Sequence, residues 1–304
     1  MGLMSGRVIV GAILISAVLA TVTVTPGAAS ASSSPKLKLL WSEEFNGKKG
    51  SAPSPKSWNF NLGGPNSNGE LEYYTSRASN ISMDGSGHLK ITANRIADQG
   101  YNTVGTDPMA ENILNACQAC QFTSGFINTS HKLSFQYGMV SVKMKVPSGT
   151  GTWPAFWMLG SSILKGIPWP DAGEIDISEV KGEQPNAAYG TVHGPGMESN
   201  GGGYGSVYNG DYIDLSQDYH VYSIMWKKNE IDWYVDNNLY FTAKAGDPSA
   251  GTWVYNQPFY LLLNLAMGGT FGNNGIDPAI KQAQLSVDYI RYYSVNGVGK
   301  VFHN

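Results

Sequence analysis

The stretch HVYSIMWKKNEIDWYVDNNLYFTA, residues 220–243, decides the fold class of this chain. It reads as three β-strands, because β-branched and aromatic residues recur through it with polar residues between them. Two turns separate the strands, one at residues 228–229 and one at residues 236–238, where Asn and Asp favour tight reversals. The stretch therefore predicts an antiparallel arrangement and a protein built from β-sheet.

Strand patterns recur along the rest of the chain. In YGMVSVKMKVP, residues 137–147, Val and Met alternate with Ser and Lys, as in a strand with one buried face. PFYLLLNLAMGG, residues 258–269, is a continuous apolar run, which indicates a strand buried on both faces. AQLSVDYIRYYSV, residues 283–295, reads as the last strand. Helical periodicity is scarce, so the pattern predicts two antiparallel sheets packed face to face.

The composition narrows the class of partner. Charged residues make up 14% of the 304 residues, against a usual figure of about 25%, and the net charge is -3. A chain without a basic stripe has no electrostatic support for nucleic-acid binding. The 37 Gly, 17 Tyr and 8 Trp residues suit a neutral partner rich in hydroxyl groups, such as a sugar. The alternative is that these aromatic side chains mainly fill a β-sheet core.

The N-terminal segment has the pattern of an export signal. Arg7 precedes the apolar run VIVGAILISAVLATVTV, and the sequence ASA at residues 29–31 is a small-residue cleavage site. We therefore expect a signal peptide at residues 1–31, a flexible mature N-terminus at residues 32–38 and a single domain at residues 39–304. The protein would then be secreted and free of the membrane. The alternative is an uncleaved anchor, although a typical span needs ~20 residues.

The two cysteines of the chain lie three residues apart, in ACQAC. Cys117 and Cys120 cannot complete a four-ligand zinc site by themselves, and no histidine cluster lies nearby in the sequence. In an exported protein, a local disulfide is the expected state of such a pair.

Three acidic residues lie close together in GEIDISEV, residues 173–180. In a regular strand, Glu174 and Asp176 share one face, whereas Glu179 lies on the other. A β-bulge between Ile177 and Glu179 would add one residue and return Glu179 to the face of the first two acids. We therefore expect a bulged strand that presents three carboxylates on one face of a curved sheet.

Two carboxyl groups on either side of a sugar are what glycoside hydrolysis requires. An ionised carboxylate attacks the anomeric carbon, and a protonated carboxyl donates to the leaving oxygen; a pair about 5 to 5.5 Å apart gives retention of configuration. A third acid between them raises the pKa of its neighbour or shares a proton with it. The alternatives for such a cluster are a solvated acidic strand edge and a calcium site.

The acidic stretch resembles the E-x-D-x-x-E signature of glycoside hydrolase family 16, a β-jelly-roll family of secreted polysaccharide hydrolases. LLWSEEFNG, NGELEYYTSR, GHLKITA, FTSGFINT and YGTVHGPG also look like that family, in its order, from about residue 39 to residue 293. The resemblance implies a jelly-roll β-sandwich of two curved antiparallel sheets with an open substrate cleft. It implies Glu174 as nucleophile, Glu179 as acid/base and Asp176 as the helper between them, with no cofactor for catalysis.

The spacing of the signature points to one branch of the family. The extra residue resembles the branch with endo-1,3-β-glucanases, agarases and carrageenases, and WPAFWMLG, WPDAGEID and GTVHGPG look most like the 1,3-β-glucanases. Ser178 stands where those enzymes usually have Met, and Val180 where they have a polar residue, which leaves the support around Glu179 open. We expect a secreted, monomeric, endo-acting hydrolase of neutral 1,3-β-glucan that retains configuration. The alternatives are a mixed-linkage glucan or galactan hydrolase, and a catalytically inactive β-glucan-binding module.

Three tryptophans shortly before the acids are candidate substrate-binding residues. The resemblance implies that Trp153 and Trp169 line the cleft beside the scissile bond, since an indole face packs well on the apolar face of a pyranose ring. Trp157 has the strand alternation of a core position, so it fits the core and the cleft equally well.

Three polar residues are further candidates through the same resemblance. His193 in TVHGPG would hydrogen-bond the substrate or the acid pair, and Arg77 and Asn264 would hold ring hydroxyl groups. For each of the three, a purely structural hydrogen bond is the alternative.

The resemblance also implies a structural calcium ion on the convex face, far from the cleft. The matching positions are Glu44, Gly87 and Asp288, which would bind partly through backbone oxygens. The alternative is that these acids are ordinary exposed residues.

Overall fold

The computed structural model describes residues 34–64, 68–96, 117–197, 203–210, 213–272 and 275–303. The described residues from Pro35 onward belong to one compact unit. The expected signal peptide, residues 1–31, lies outside these ranges. The first strand begins at Leu37, two residues before the predicted start of the domain. Within the described ranges, no helix combines the length and apolar character needed to cross a membrane.

Nineteen strands and a 3-10 helix at Ser161–Lys165 make up the regular structure of the described ranges. The strands are β1 (Leu37–Glu43), β2 (Asn59–Phe60), β3 (Glu72–Tyr74), β4 (Ile81–Met83), β5 (Leu89–Arg95), β6 (Phe122–Ser124), β7 (Phe126–Asn128), β8 (Leu133–Gln136), β9 (Gly138–Lys145), β10 (Thr152–Gly160), β11 (Glu174–Glu179), β12 (Ala187–His193), β13 (Gly203–Asn209), β14 (His220–Lys227), β15 (Glu230–Val235), β16 (Asn238–Lys244), β17 (Phe259–Met267), β18 (Gln282–Val295) and β19 (Lys300–His303).

The strands form two sheets. The back sheet has the order β16-β15-β14-β9-β18-β5-β6-β3, with β1 paired to β18 and β4 paired to β5. The front sheet has the order β13-β12-β11-β10-β17-β7-β2, with β8 paired to both β17 and β19. The described strand pairs are antiparallel, as the sequence predicts, except that β3 runs parallel to β6. The chain therefore folds as the expected sandwich of two sheets.

The core lies between the two sheets, where the sequence pattern places it. Val140, Val142 and Met144 of β9 are fully buried, as their alternation predicts. Every residue of β17 is buried, which confirms that the apolar run at residues 258–269 forms a strand covered on both faces. Trp226 and Trp233 are the largest fully buried side chains of the described residues. These two aromatic side chains fill the space between the sheets. For them, the alternative to sugar binding, that aromatic residues fill the core, is the one observed.

The two turns of residues 220–243 form as the sequence predicts. Asn229 has a φ of 65°, and in the second turn Asp236 and Asn237 have φ values of 48° and 67°. Asn and Asp tolerate this left-handed region, and two such residues in succession match the twist of the flanking strands. The second turn is one residue shorter than predicted, because Asn238 already begins β16. The expected disulfide between Cys117 and Cys120 is present.

Candidate active site

A β-bulge interrupts strand β11 between its second and third acids. Asp176 pairs with Thr191 of β12, whereas Glu179 pairs with Tyr189, so β11 takes three steps along the chain where β12 takes two. The pairing of β11 with β10 shows the same extra residue, between Ser178 and Asp176. This confirms the bulge predicted from the acid spacing. Its effect is to reset the alternation of side chains along the strand.

The bulge brings all three acidic side chains to one cavity. Glu174, Asp176 and Glu179 line a space of about 200 Å³ on the face of the front sheet that points away from the core. Between them, Ile175 and Ile177 are fully buried and belong to the core. The strand therefore separates its residues as expected, with carboxyl groups toward the cleft and isoleucines toward the back sheet.

Two tryptophans hold the outer acids by their indole N–H groups. Trp169 Nε1 donates to Glu174 Oε2 at 3.0 Å, and Trp153 Nε1 donates to Glu179 Oε1 at 2.8 Å. Trp153 is almost buried, with 8% of its surface exposed, whereas Trp169 is 50% exposed at the mouth of the cleft. Both residues thus lie where the sequence predicts, and each also orients a carboxyl group.

The central acid contacts groups on neighbouring strands. His193 Nε2 lies 3.0 Å from Asp176 Oδ2 and 3.9 Å from Glu174 Oε1. Trp233 Nε1, from the back sheet, donates to the main-chain carbonyl of Asp176 at 2.8 Å. His193 therefore lies beside the acidic side chains, within hydrogen-bond distance of Asp176, which agrees with the predicted hydrogen bond to the acids. In the described ranges, the cluster Glu174, Asp176 and His193 is the one group of three metal-ligand side chains, with ligand atoms within 4.8 Å of one another.

Burial and mutual repulsion keep protons on this cluster. Burial, and next the charge of Asp176, raise the pKa of Glu174 well above its usual range, whereas His193 and the Trp169 N–H oppose the rise. Burial, followed again by Asp176, raises the pKa of Glu179 to about 8. Glu179 is therefore protonated at neutral pH, which is the state that a general acid needs. The charge of Asp176 thus favours the protonated form of both neighbouring glutamic acids.

Trp157 and Asn264 form the floor of the cavity. Trp157 Nε1 donates to Asn264 Oδ1 at 2.8 Å, and Asn264 Nδ2 donates to the hydroxyl oxygen of Tyr74 at 2.9 Å. Trp157 is partly buried: it lines the cleft and also packs against a small apolar cluster that includes Tyr74 and Phe126, so it has contacts of both predicted kinds. The Asn264 side chain thus accepts one hydrogen bond through its amide oxygen and donates one through its amide nitrogen, both to other residues of the protein. These are the structural hydrogen bonds that the sequence analysis gave as the alternative to substrate binding.

Arg77 is the one predicted substrate-binding residue that lines neither described cavity of the cleft. Its main-chain carbonyl accepts hydrogen bonds from the N–H groups of Asn80 and Ile81 at 2.9 Å, in the turn that precedes β4. A contact between its side chain and substrate stays a prediction.

The two residues that depart from the family pattern line neither described cavity of the cleft. Ser178 and Val180, on either side of Glu179, are both fully buried. They therefore change the packing beneath Glu179, and they leave its hydrogen bond to Trp153 in place.

The residues expected to bind calcium are engaged with basic side chains. The Glu44 carboxylate accepts from Arg291 Nε and Nη2 at 2.9 and 2.8 Å, and Asp288 Oδ2 lies 2.8 Å from Lys143 Nζ. Gly87 lies in a turn with a φ of 91°. Both carboxylates thus face a positive charge in this structure, and calcium binding at these three residues stays a prediction.

Several residues of the cleft were missed by the sequence reasoning. A larger cavity of about 810 Å³ shares Trp153, Glu174 and Glu179 with the first, and Thr270 and Phe271 form part of its wall. Phe271 stacks on Trp153 with ring centroids 5.0 Å apart. The motif NGELEYYTSR contains further lining residues that could have been singled out. The polar and aromatic residues among those missed are Asn68, Glu70, Tyr74, Phe126, Thr270 and Phe271, and the aliphatic ones are Ala155, Leu159 and Ile163.

Comparisons with known proteins agree with this geometry. Residues 70–291 match the model of Glycosyl hydrolases family 16. The chain is 36% identical over 270 residues to a beta-glucanase of Rhodothermus marinus, covering 85% of this chain and 86% of that protein. It is 34% identical to Glucan endo-1,3-beta-glucosidase A1 of Niallia circulans, where 84% of this chain matches 38% of that protein.

A solved structure extends the similarity to the fold. The endo-beta-1,3-glucanase of Pyrococcus furiosus superimposes with a TM-score of 0.73 at 35% identity, covering 85% of this chain and 95% of that one. The strand arrangement is therefore the jelly-roll sandwich that the sequence resemblance implies. With three carboxyl groups gathered by a bulged strand on that sandwich, the chain belongs to glycosyl hydrolase family 16.

Proposed function

We propose that this protein cleaves internal bonds of 1,3-β-glucan with retention of configuration. The observation that carries the proposal is the bulge of β11, which places Glu179 in the same cavity as Glu174 and Asp176. The similarity to the enzymes named above supports the linkage, and the aromatic cleft supports a neutral sugar as the substrate.

In the proposed reaction, Glu174 attacks the anomeric carbon while Glu179 donates its proton to the leaving glycosidic oxygen. The bond from the anomeric carbon to that oxygen breaks, and a glycosyl ester forms on Glu174. Glu179, now ionised, takes a proton from water, which attacks the same carbon and releases Glu174. Asp176 holds the proton that Glu174 gives up, and Trp169 keeps the Glu174 carboxylate oriented.

The setting of the enzyme is also part of the proposal. The export pattern of residues 1–31 supports a secreted protein that meets its polysaccharide outside the cell. The chemistry above needs two carboxyl groups and water, so it requires no cofactor. We propose that the mature protein acts as a monomer on neutral β-glucan.

Incubation with a panel of pure polysaccharides tests the proposal. Laminarin and curdlan should release reducing ends, and proton NMR of the first product should show the β-anomer before mutarotation. Product from lichenan or agarose but not from laminarin would favour the mixed-linkage or galactan alternative. Binding to laminarin without any product would favour an inactive module. The Glu174→Ala protein, incubated in parallel, controls for contaminating activity.

A further inference from the structure

Glu70 and Glu72 form a second pair of acidic side chains at the cleft, in the chain segment that enters β3. Their surfaces are 8% and 0% exposed, and their carboxyl groups hydrogen-bond each other. Burying two acids in contact is costly unless one of them keeps its proton. A pair of this kind inside a substrate cleft therefore calls for a role beyond packing.

The inner member of the pair is the one that holds the proton. The main-chain N–H of Met267 donates to Glu72 Oε2 at 2.7 Å. Burial, followed by the charge of Glu70, raises the pKa of Glu72 well above its usual range. Burial and the neighbouring acid therefore favour the neutral, protonated form of Glu72.

Glu70 is the member of the pair that lines the cleft. It lines the same cavity as Glu179, and Asn68 Nδ2 donates to its Oε1 at 3.2 Å. Gly269 lies close to both Glu70 and Trp153. A Cβ atom built on this glycine would be 3.0 Å from Trp153 Cζ3 and 3.3 Å from Glu70 Cγ. Glu70 and the six-membered ring of Trp153 therefore both lie close to Gly269, whereas the indole N–H of Trp153 donates to Glu179.

This placement suits a sugar ring that packs near Trp153. A carboxylate accepts hydrogen bonds from two neighbouring hydroxyl groups at once, and charge makes these bonds stronger than neutral ones. The same carboxylate repels a sulfate or carboxylate substituent on the ring, and the described residues that line its cavity include no Lys or Arg.

We propose that Glu70 binds hydroxyl groups of the sugar unit beside Trp153 and thereby selects unsubstituted over anionic glycans. The inference rests on the proposed glucan hydrolysis and deepens it, because it assigns the substrate class to one side chain. Glu70 lies outside the group of acids that make and break bonds, so its effect is on binding and selectivity.

The Glu70→Gln variant tests the inference, since the amide keeps the shape and the contact to Glu72 while it removes the charge. We expect KM for laminarin to rise about tenfold with kcat within about threefold, because a hydrogen bond to a charged acceptor is replaced by a neutral one. The ratio of kcat/KM for laminarin to that for sulfated laminarin should fall by about fivefold or more. A general loosening of the cleft would lower kcat/KM for laminarin and for sulfated laminarin alike, so the ratio of the two values would not change.

Glu72→Gln is the matched control, because Gln resembles the neutral carboxyl group that Glu72 already is. It should keep the ratio of laminarin to sulfated laminarin within about twofold of the parent. An unchanged KM and an unchanged ratio in Glu70→Gln would overturn the inference. If the parent cleaves no laminarin, the proposed function fails. Calorimetric titration of laminarihexaose then decides the inference: weaker binding to Glu70→Gln supports it, and equal binding rejects it.

Discussion

The indole N–H of Trp233, in strand β15 of the back sheet, donates a 2.8 Å hydrogen bond to the main-chain carbonyl of Asp176 in strand β11. The bond crosses the core from one sheet to the other and reaches β11 where the bulge begins. Because the bulge disrupts the regular ladder at this point, the carbonyl depends on a partner from outside its sheet. We infer that Trp233 helps to hold the strand geometry that turns Glu179 into the cleft.

The Trp233→Phe variant should lose both stability and activity. It leaves the buried carbonyl of Asp176 without its donor, at a cost of about 1–3 kcal/mol in the free energy of unfolding. A shift of the acids by a fraction of an ångström should lower kcat by about tenfold or more. Urea denaturation and laminarin kinetics measure the two effects.

Trp226→Phe is the matched control for that variant. Trp226 is equally buried and donates at 3.0 Å to the main-chain carbonyl of Tyr255, in the segment before β17 and not to the bulged strand itself. It should lose similar stability and keep a kcat near that of the parent. Equal losses of kcat in the two variants would show that Trp233 has no special link to the acids.

Glu174→Ala should abolish hydrolysis and respond to azide. Without the nucleophile, kcat should fall by at least about a thousandfold, whereas the fold should persist because Glu174 faces the cleft. Azide can enter the vacated space and attack the anomeric carbon, which gives a glycosyl azide of inverted configuration. Glu230→Gln, outside the cleft, should match the parent. Residual activity within a factor of about two of the parent would refute the nucleophile assignment.

The alkaline limb of the pH–activity profile should report Glu179. Its pKa is raised to about 8, so the acid is protonated and competent below that pH, and kcat/KM should fall as the pH rises through it. Lys181 lowers this pKa by its charge, and its Nζ lies 4.4 Å from the ring centroid of Phe271.

Removing the positive charge of Lys181 should shift the alkaline limb of the pH–activity profile in a defined direction. Lys181→Met should move the alkaline limb to higher pH by a few tenths of a unit, because the ionised form of Glu179 loses a favourable neighbour. Lys181→Arg keeps the charge and should leave the limb in place. A limb that moves to lower pH in the methionine variant would contradict the assignment of Glu179 as the acid.

Chelation should have little effect on stability. The carboxylates of Glu44 and Asp288 already pair with Arg291 and Lys143, so removing calcium leaves no buried charge without a partner. We expect EDTA to change Tm by less than ~2 °C in a thermal melt, compared with a sample dialysed against calcium. A larger fall, restored by added calcium, would show that backbone oxygens at these positions bind the ion.

The sequence by itself determined the β-sheet class, both turns of residues 220–243 and the bulge between Asp176 and Glu179. These features follow from local properties, namely side-chain alternation, the tolerance of Asn and Asp for positive φ, and the out-of-phase position of Glu179. The resemblance added the roles of the acids and the tryptophans beside them.

Only the tertiary structure decided which distant residues share the cleft. Glu70 lies more than a hundred residues before Glu179 in the chain, yet both line one cavity, and Trp233 reaches Asp176 from the opposite sheet. The pairing of Glu44 with Arg291 is also invisible in either segment alone. The physical reason is that strand patterns specify which face of each strand is buried, whereas sheet packing chooses which faces meet, and hydrogen bonds between distant side chains form only after that choice.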